Sequence, residues 1–260
     1  MYYEMIGFTG EPHSDPCVPG MPDVDLGTSS VFLDFDGTLV DLADSPDAIV
    51  VPEDMAMTLE AVARKCNGRL VIVTGRSLAS VEPYLGGFAG PIIGGHGAEE
   101  RIDGVTSRCI AVDDHVVARM GDMAEAFAAT HPGLLAERKP TGIVIHFRSA
   151  EDRAADAYAF LRVLDETHPG FELHHSKMAY ELRPKGIGKE LSIQRHMEAA
   201  PFAGTLPIFF GDDVTDEPAL RWVGESGGLA VKVGEGDTAA SNRVEDPRAV
   251  RNLLRSWAKA

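Results

Sequence analysis

The amino-acid sequence predicts an α/β protein with a parallel-sheet core and a smaller inserted α+β domain. Short apolar runs at residues 31–35, 69–73 and 206–210 are separated by stretches of helical periodicity, which is the pattern of buried parallel strands and their crossover helices. Between residues 105 and 181 this pattern is replaced by a helix and a hairpin, repeated once. The resulting order, α-β-β-α-β-β, is typical of a small open-faced domain.

Composition limits the classes of protein and partner. The 260 residues, 44% of them hydrophobic, are enough to bury a sizeable core. A formal net charge of -16 argues against nucleic acid or an anionic membrane as a partner, because phosphates attract a basic surface. Cys17, Cys66 and Cys109 lack the spacing of a disulfide framework or a zinc site. No export signal or membrane span is recognisable, so we expect a cytoplasmic protein.

The first part of the chain divides into a tail and half of the core. Residues 1–29 are rich in proline, glycine, aspartate and serine, and we expect a flexible N-terminal tail. Residues 30–104 then alternate, with strands at 31–35, 69–73 and 91–94, helices at 53–66 and 77–85, and a hairpin turn at Asp103-Gly104. This segment would form the first half of the core.

Residues 105–181 are expected to form the inserted domain. Its helices are predicted at 113–130 and 151–167, and its strands at 134–139, 143–148, 171–175 and 178–183. In the second of these strands Ile143, Ile145 and Phe147 share one face, which should pack on the helices. The opposite face, free to line a cleft, carries Val144, His146 and Arg148.

Residues 182–260 should complete the core, because the alternation of helices and strands resumes there. Helices are expected at 188–199, 217–223 and 248–258, and strands at 206–210 and 229–233. The predicted core therefore consists of residues 30–104 and 182–260, with the inserted domain between them.

Two carboxylates, Asp34 and Asp36, lie where the first predicted strand should end. In an open parallel sheet, ligands bind beyond the carboxyl ends of the strands, which favours a functional site here. Carboxylates two residues apart point the same way, so one can attack an electrophile or bind a metal while the other transfers protons. The alternative is a solvated Asp-Gly turn with a helix cap, and the apolar strand in front argues against it.

Three further places carry candidate chemistry, each with a structural alternative. Thr74 follows the second strand, where its hydroxyl could instead cap a helix, and Lys189 begins a helix, where a surface lysine would by itself be expected. Asp212, Asp213 and Asp216 follow a later strand, and acidic residues also favour a helix N-terminus. Carboxylates crowded in this way repel each other unless a cation compensates, and hard oxygen ligands suit Mg²⁺.

Taken together, the motifs resemble those of a known family. In order along the chain they are DFDGT (34–38), TGR (74–76), the lysine at 189 and GDDVTDE (211–217), and this set resembles the haloacid dehalogenase superfamily of phosphohydrolases. Further stretches resemble the trehalose-6-phosphate phosphatases, namely GGHGAEE (94–100), KPTGIVIHFR (139–148) and YELRPKGIGKE (180–190). The similarity runs from residue 31 to the C-terminus. It implies a Rossmann-like core with an inserted cap domain, which would be the segment 105–181.

The resemblance also implies roles for the candidate residues. Asp34 would be the nucleophile and Asp36 the general acid/base, while Thr74 and Lys189 would hold the phosphoryl group. Mg²⁺ is the implied cofactor; its implied ligands are Asp34, Asp36 and Asp212, and the neighbouring candidates are Asp213 and Asp216.

Substrate choice should depend on the cap, because the core would recognise only the phosphate. Candidates for substrate contact are residues of the TGR motif and polar side chains in or near the cap, namely Gly75, Arg76, His96, Glu99, Lys139, His146, Arg148, Glu181 and Arg183. The alternative for the polar groups is a hydrated sheet face, and the resemblance favours Lys139 and Glu181 most. Glu190 replaces the small residue expected after the motif lysine and should place an extra carboxylate near the phosphate.

The function that the resemblance implies is Mg²⁺-dependent hydrolysis of trehalose 6-phosphate through an aspartyl-phosphate intermediate, the last step of trehalose biosynthesis. The alternatives are a related capped sugar phosphatase, acting on mannosyl-phosphoglycerate or sucrose phosphate, and a non-catalytic sugar-phosphate binding protein. The intact Asp34 and Asp36 argue against the latter. The expected partner is a small-molecule sugar phosphate. The sequence leaves the oligomeric state open, with a monomer as the simplest case.

Overall fold

Two β-sheets organise the part of the chain that the structure describes. The structure is a computed structural model, and it describes residues 21–43, 48–176 and 178–259. Within these ranges, an 8-stranded sheet forms the core and a 4-stranded sheet lies in the inserted segment. The predicted fold class, an α/β core with an inserted α+β domain, is confirmed.

The strands alternate with helices along most of the chain. In chain order the strands are β1 (Ser29–Leu33), β2 (Leu70–Val73), β3 (Ile92–Gly94), β4 (Glu99–Ile102), β5 (Val105–Arg108), β6 (Leu135–Lys139), β7 (Gly142–His146), β8 (Phe171–Ser176), β9 (Ala179–Pro184), β10 (Leu206–Gly211), β11 (Leu229–Val233) and β12 (Asn242–Val244). The helices are α1 (Met55–Lys65), α2 (Leu78–Val81), α3 (Asp114–Ala129), α4 (Ala154–Thr167), α5 (Lys189–Met197), α6 (Glu217–Glu225) and α7 (Pro247–Lys259).

The large sheet has the strand order β12-β11-β10-β1-β2-β3-β4-β5. The strands from β12 to β3 are parallel, while β4 is antiparallel to both of its neighbours. Because β1 is central, between β10 and β2, the residues that follow it lie in the middle of the carboxyl edge of the sheet.

Helices cover both faces of the large sheet. Val31 and Leu33 of β1 pack into the cluster that contains α1, α2 and α7, whereas Phe32 packs into the cluster that contains α5 and α6. Alternate side chains of one strand point to opposite faces, so a strand covered on both sides must be apolar throughout. Among the described residues, none of the helices combines the length and the apolar character needed to cross a lipid bilayer.

The small sheet is antiparallel, in the order β6-β7-β9-β8. Its elements follow the predicted order α-β-β-α-β-β. Ile143, Ile145 and Phe147 pack against α3 and α4, as predicted. The other face of β7 and the residues after it line a cleft toward the core with Val144, His146 and Arg148.

Part of the predicted tail packs against the core. Residues 1–20 lie outside the described residues. Met21 and Leu26 are buried in the large core cluster, and Leu26–Thr28 form a 3-10 turn that the Asp25 carboxylate caps. Since these two apolar side chains reach the core, the prediction of a flexible tail does not hold for residues 21–28.

Three strands differ from the sequence prediction. The turn at Asp103-Gly104 is present, with φ values of 51° and 74°, but the flanking strands β4 and β5 extend the large sheet beyond β3. β12 is not predicted, because its three residues contain a single buried apolar side chain, Val244.

The division into core and cap remains a proposal. The predicted limits of the cap, residues 105 and 181, fall within β5, which pairs with β4 in the large sheet, and within β9, which continues in the small sheet to Pro184. A division drawn between the two sheets would fall a few residues later at both ends.

The packing of the inserted segment generates a stability prediction. Leu161 on α4 is fully buried in the cluster with α3 and β7, whereas Val163 on the same helix is 59% exposed. We expect Leu161→Ala to lower the free energy of unfolding by about 2–5 kcal/mol, because it leaves a cavity, and Val163→Ala to change it by less than about 0.5 kcal/mol. Urea unfolding followed by circular dichroism measures both, and equal effects would contradict this packing.

Candidate active site

Three neighbouring parallel strands end side by side and bring the motif residues together. β1 pairs with both β10 and β2. Asp34 follows β1, Thr74 follows β2 and Asp212 follows β10, so all three leave the same edge of the sheet. Lys189, the first residue of α5, reaches this edge from the segment that returns from the cap.

Asp34, Asp212 and Asp216 form a compact acidic cluster. One carboxylate oxygen from each lies within 4.8 Å of the others. The Lys189 ammonium donates to Asp34 Oδ1 and to Asp216 Oδ1, at 2.6 Å each. Asp34, Asp216 and Lys189 are buried, and Asp212 is half-buried. The structure therefore brings together four of the predicted residues.

Burial and repulsion set the protonation equilibria of this cluster. Burial raises the pKa of Asp34 well above its ordinary value; the charges of Asp216 and Asp212 add to the rise, and Lys189 opposes it. Burial, and then the charge of Asp216, raise the pKa of Asp212 to about 6. Burial would lower the pKa of Lys189, but Asp216 and Asp34 raise it, so the lysine stays charged. One ammonium does not balance three carboxylates, and a hard divalent cation such as Mg²⁺ fits this donor set.

Asp216 and Asp213 make different contacts although both follow β10. Asp216 is fully buried, and its Oδ2 accepts the backbone N–H groups of Asp212 and Asp213, at 3.1 Å each. Asp213 Oδ1 accepts the Val214 N–H at 2.7 Å and caps the next turn. Within the described residues, the acidic cluster does not include Asp213 or Asp36, which the sequence also predicts as ligands.

Gly37 lets the first motif approach the acidic loop. Its φ of 77° lies in the left-handed region that favours glycine. A Cβ atom at this position would collide with the Asp212 carboxylate. The turn after Asp36 therefore requires glycine for its conformation and for the space that Asp212 occupies.

Asp36 forms an ion pair with Arg76 in the lining of the cleft. Arg76 Nε donates to Asp36 Oδ2 and Nη2 donates to Oδ1, both at 2.7 Å. Both residues line the cleft. Arg76, predicted as a substrate-binding residue, is thus engaged with the candidate general acid/base.

Thr74 is completely buried, and its hydroxyl faces the backbone. Its Oγ1 accepts the Arg76 N–H at 3.1 Å. It does not belong to the described residues that line the cleft. The contact matches the structural alternative of a hydroxyl that caps the following turn, and a role in holding phosphate stays a prediction.

Cap and core meet across a cleft of about 630 Å³. On the small sheet, Lys139 Nζ lies 3.1 Å from Glu181 Oε1. Lys139 also donates to the carbonyl oxygen of Gly75 at 3.0 Å, and Glu181 Oε2 lies 3.1 Å from His96 Nε2. All four residues line the cleft, so these predicted substrate-binding residues are brought together.

The remaining predicted substrate-binding residues divide into two groups. His146 and Arg148 line the cleft, and His146 Nε2 lies 2.7 Å from Glu137 Oε2. Glu99 and Arg183 are not among the described residues that line it. Glu99 Oε1 instead accepts the N–H at the start of α2, at 2.6 Å. Arg183 is buried at the end of β9.

Glu190, which the sequence predicts near the phosphate, is not among the described residues that line the cleft. Its carboxylate lies over Gly188 at the start of α5. Successive residues of a helix point about 100° apart, so the residue after Lys189 faces another direction. An acidic side chain in the first turn is also favoured by the helix dipole.

The sequence pattern does not single out Lys232, a buried cation behind the acidic cluster. Lys232 lies on β11, is 4% exposed, and donates to the carbonyl oxygens of Asp212 and Val233. Burial raises the pKa of Asp212, and the charge of Lys232 opposes that rise. The sequence does contain a signal for this residue, namely a lysine within the apolar run LAVKV. A lysine in a strand that is buried on both faces needs polar partners for its ammonium group, which indicates a buried polar contact.

Comparisons with known proteins match the region that carries the site. A family model described as trehalose-phosphatase matches residues 32–250. The chain is 31% identical over 213 residues to a trehalose-6-phosphate phosphatase of Escherichia coli (strain K12), covering 82% of this chain and 80% of that protein. It is 34% identical over 238 residues to a probable trehalose-phosphate phosphatase of Sinorhizobium fredii (strain NBRC 101917 / NGR234), covering 90% of this chain and 89% of that protein.

A solved structure supports the same relationship. A crystal structure described as a trehalose-6-phosphate phosphatase related protein has a TM-score of 0.77 and 27% sequence identity. The alignment covers 88% of this chain and 96% of that one. The likeness thus extends over both sheets.

The contact between His96 and Glu181 generates a pH prediction. Burial lowers the pKa of His96 to about 4. The charge of Glu181 opposes this shift, and the charges of Lys139 and Arg183 add to it. Burial would raise the pKa of Glu181, but Lys139, His96 and Arg183 together hold it well below its ordinary value. At pH values between about 6.5, the ordinary pKa of histidine, and about 4, the pKa of His96 in the folded chain, the imidazole of His96 is protonated in the unfolded chain and neutral in the folded chain. The free energy of unfolding therefore falls as pH falls through this range.

We expect His96 alone to account for a loss of as much as about 3 kcal/mol over this range, and His96→Gln to show a correspondingly shallower pH dependence. Urea unfolding between about pH 7 and about pH 4 measures it. His115→Gln, at an exposed position on α3, is the control and should follow the wild type. Identical pH dependence in His96→Gln and wild type would contradict a buried, neutral His96.

Proposed function

The chain belongs to the trehalose-phosphatase family, and on that premise we propose that it hydrolyses trehalose 6-phosphate to trehalose and inorganic phosphate. The reaction would depend on Mg²⁺, pass through an aspartyl phosphate and complete trehalose biosynthesis. The observation that carries the proposal is the contact of Lys189 with Asp34 and Asp216 at the end of the central strands. A carboxylate held by a buried ammonium beside two further carboxylates is suited to attack a phosphoryl group.

Asp34 is the proposed nucleophile of the first step. A carboxylate oxygen of Asp34 attacks phosphorus, and the bond from phosphorus to Asp34 forms as the bond from phosphorus to the sugar oxygen breaks. Asp36 gives its proton to the departing sugar oxygen, so trehalose leaves as a neutral alcohol. This divides one difficult displacement into two easier ones.

Water completes the second step. Its oxygen attacks the phosphorus of the aspartyl phosphate while Asp36, now a carboxylate, accepts a proton from it. The bond between phosphorus and Asp34 breaks, and inorganic phosphate is released. Asp34 is then again a carboxylate and Asp36 again carries a proton, so the site is ready for another substrate.

The phosphoryl group adds negative charge to a site that already holds three carboxylates. Lys189 is placed to offset part of this charge, since it already contacts Asp34 and Asp216. Asp34, Asp212 and Asp216 would hold Mg²⁺, which when bound neutralises charge on the phosphoryl oxygens. Charges fixed in a buried site act more strongly than the same charges in water.

The cleft between the two sheets is the proposed site of sugar recognition. Its volume of about 630 Å³ is in the range of small-molecule sites. Lys139 and Glu181 from the cap and His96 from the core present polar groups that can bind sugar hydroxyls. A substrate that contacts both sides would help to exclude water from the reacting phosphate.

A panel of phosphate esters, with and without Mg²⁺, tests the proposed substrate. We expect kcat/KM for trehalose 6-phosphate to exceed that for sucrose phosphate and mannosyl-phosphoglycerate by at least about 10²-fold. A preference for one of the latter would favour another capped sugar phosphatase, and binding without turnover would favour a non-catalytic protein.

We also propose, on the sequence alone, that the protein is cytoplasmic and monomeric.

The nucleophile assignment predicts the effect of Asp34→Asn. We expect phosphate release to fall by at least about 10³-fold in a folded protein, because an amide cannot take the place of the attacking carboxylate. Circular dichroism reports the fold, and Asp152→Asn, at an exposed position, is the control. Turnover near the wild-type rate by folded Asp34→Asn would exclude Asp34 as the nucleophile.

The acidic cluster predicts that Mg²⁺ stabilises the protein and is needed for turnover. Free metal at about 100 times its Kd stabilises the folded state by about 2.7 kcal/mol, which raises the melting temperature. Asp212→Asn should weaken this response, whereas Asp237→Asn, at an exposed position, should retain it. Full turnover after treatment with EDTA would show that the metal is not required.

A further inference from the structure

Arg76 makes a close contact with the proposed general acid/base, Asp36. Its Nε donates to Asp36 Oδ2 and its Nη2 donates to Oδ1, both at 2.7 Å. Two parallel N–H···O bonds of this kind fix the plane of a carboxylate as well as its distance. Asp36 therefore has a defined orientation although 31% of its side chain is exposed.

Neighbouring residues fix Arg76 in turn. The carbon of its guanidinium lies 5.7 Å from the centre of the Phe35 ring and 5.5 Å from that of the Tyr84 ring, and its side chain is 10% exposed. Its backbone N–H donates to Thr74 Oγ1 at 3.1 Å. An arginine held at both ends loses little further freedom when it binds a carboxylate, unlike the two mobile side chains of a surface ion pair.

Asp36, which contacts Arg76, lies outside the acidic cluster of Asp34, Asp212 and Asp216. Asp34 and Asp36 leave β1 two residues apart, yet among the described residues Asp34 joins Asp212 and Asp216 and Asp36 does not. A carboxylate offers about four lone-pair sites, and the fork of Arg76 engages one on each oxygen. Within the described ranges no other hydrogen bond occupies the remaining sites, and Asp36 lines the cleft, where one of these sites can carry a proton.

We propose that Arg76 is a positioning residue that holds Asp36 toward the leaving-group oxygen of the substrate and away from the metal-binding carboxylates. This inference rests on the proposed function, because it assigns Arg76 to the proton transfer of the first step. There the O–H bond of Asp36 breaks as the sugar oxygen gains the proton, while the phosphorus atom exchanges its bond to that oxygen for one to Asp34. A carboxyl group that is not held with its O–H directed at the leaving-group oxygen transfers its proton less often.

The competing role for Arg76 is binding of the substrate phosphate. Arginine binds phosphate through two parallel N–H groups, but the edge formed by Nε and Nη2 already holds Asp36. Loss of a phosphate contact would weaken the binding of every phosphate ester and of inorganic phosphate. Loss of a positioned acid would instead affect only those esters whose leaving group needs a proton.

The leaving-group dependence of Arg76→Met separates the two roles. Trehalose must be protonated as it leaves, whereas p-nitrophenolate leaves without a proton. Because kcat/KM reports the steps up to departure of the leaving group, we expect it to fall about 10²-fold for trehalose 6-phosphate and less than about 3-fold for p-nitrophenyl phosphate. The inhibition constant of inorganic phosphate should also change less than about 3-fold. Arg76→Lys should be intermediate, because an ammonium keeps the charge but not the fork.

Arg255→Met is the matched control. Arg255 forms the same kind of fork with Asp54, at 2.7 and 2.9 Å, and is not among the described residues that line the cleft. Its loss should leave the ratio of the two kcat/KM values at the wild-type value. In the Asp36→Asn protein, adding Arg76→Met should cause no further loss with trehalose 6-phosphate, because the positioned group no longer transfers a proton.

An equal fall for both substrates, or a higher inhibition constant for phosphate, would overturn the positioning role. So would an unchanged ratio in Arg76→Met. If Arg76→Met does not fold, Arg76→Lys provides the same comparison. A wild-type protein that does not hydrolyse trehalose 6-phosphate would refute the proposed function instead, so the two failures are distinguishable.

Discussion

The buried contact of Lys189 with Asp34 and Asp216 is the constraint on which the site depends. Carboxylates this close together repel each other, and burial adds to the penalty on their charged forms. The ammonium offsets part of that penalty, so α5 must begin where its first side chain can reach the end of β1. The return of the chain from the small sheet to the core is therefore tied to the charge balance of the site.

The small sheet contributes to the same edge of the core. Lys139 and Glu181 contact Gly75 and His96, so the cleft is closed on one side by polar pairs that join the two sheets. These groups satisfy one another when no ligand lies between them, and a ligand must replace those contacts with its own. A ligand with several hydroxyl groups can make such contacts, because each hydroxyl both donates and accepts a hydrogen bond.

The sequence predicts the positions of Asp34 and Asp212 because each depends on a local pattern, an apolar strand followed by carboxylates. The inserted domain is predicted from its helical and strand periodicity, but its role as a cap and the role of Lys189 need the family resemblance. Contacts between distant residues could not be predicted in this way. Arg76 and Asp36 are 40 residues apart, and their pairing depends on how β2 lies beside β1. Lys232 and the small strands β4, β5 and β12 likewise depend on tertiary contacts that outweigh weak local preferences.

The two edge strands of the large sheet, β12 and β5, are where separate molecules could pair strand to strand in concentrated solution. An open strand edge is a template for another chain, and proteins limit this with short strands and charged side chains. β12 has three residues and carries Arg243, and the exposed β5 has four residues, of which only Val105 is apolar, and carries Arg108. The net charge of -16 adds repulsion between whole molecules. Both features oppose edge-to-edge pairing, so the sheet can be long enough to align the loops of the candidate site without offering a long apolar edge to another molecule.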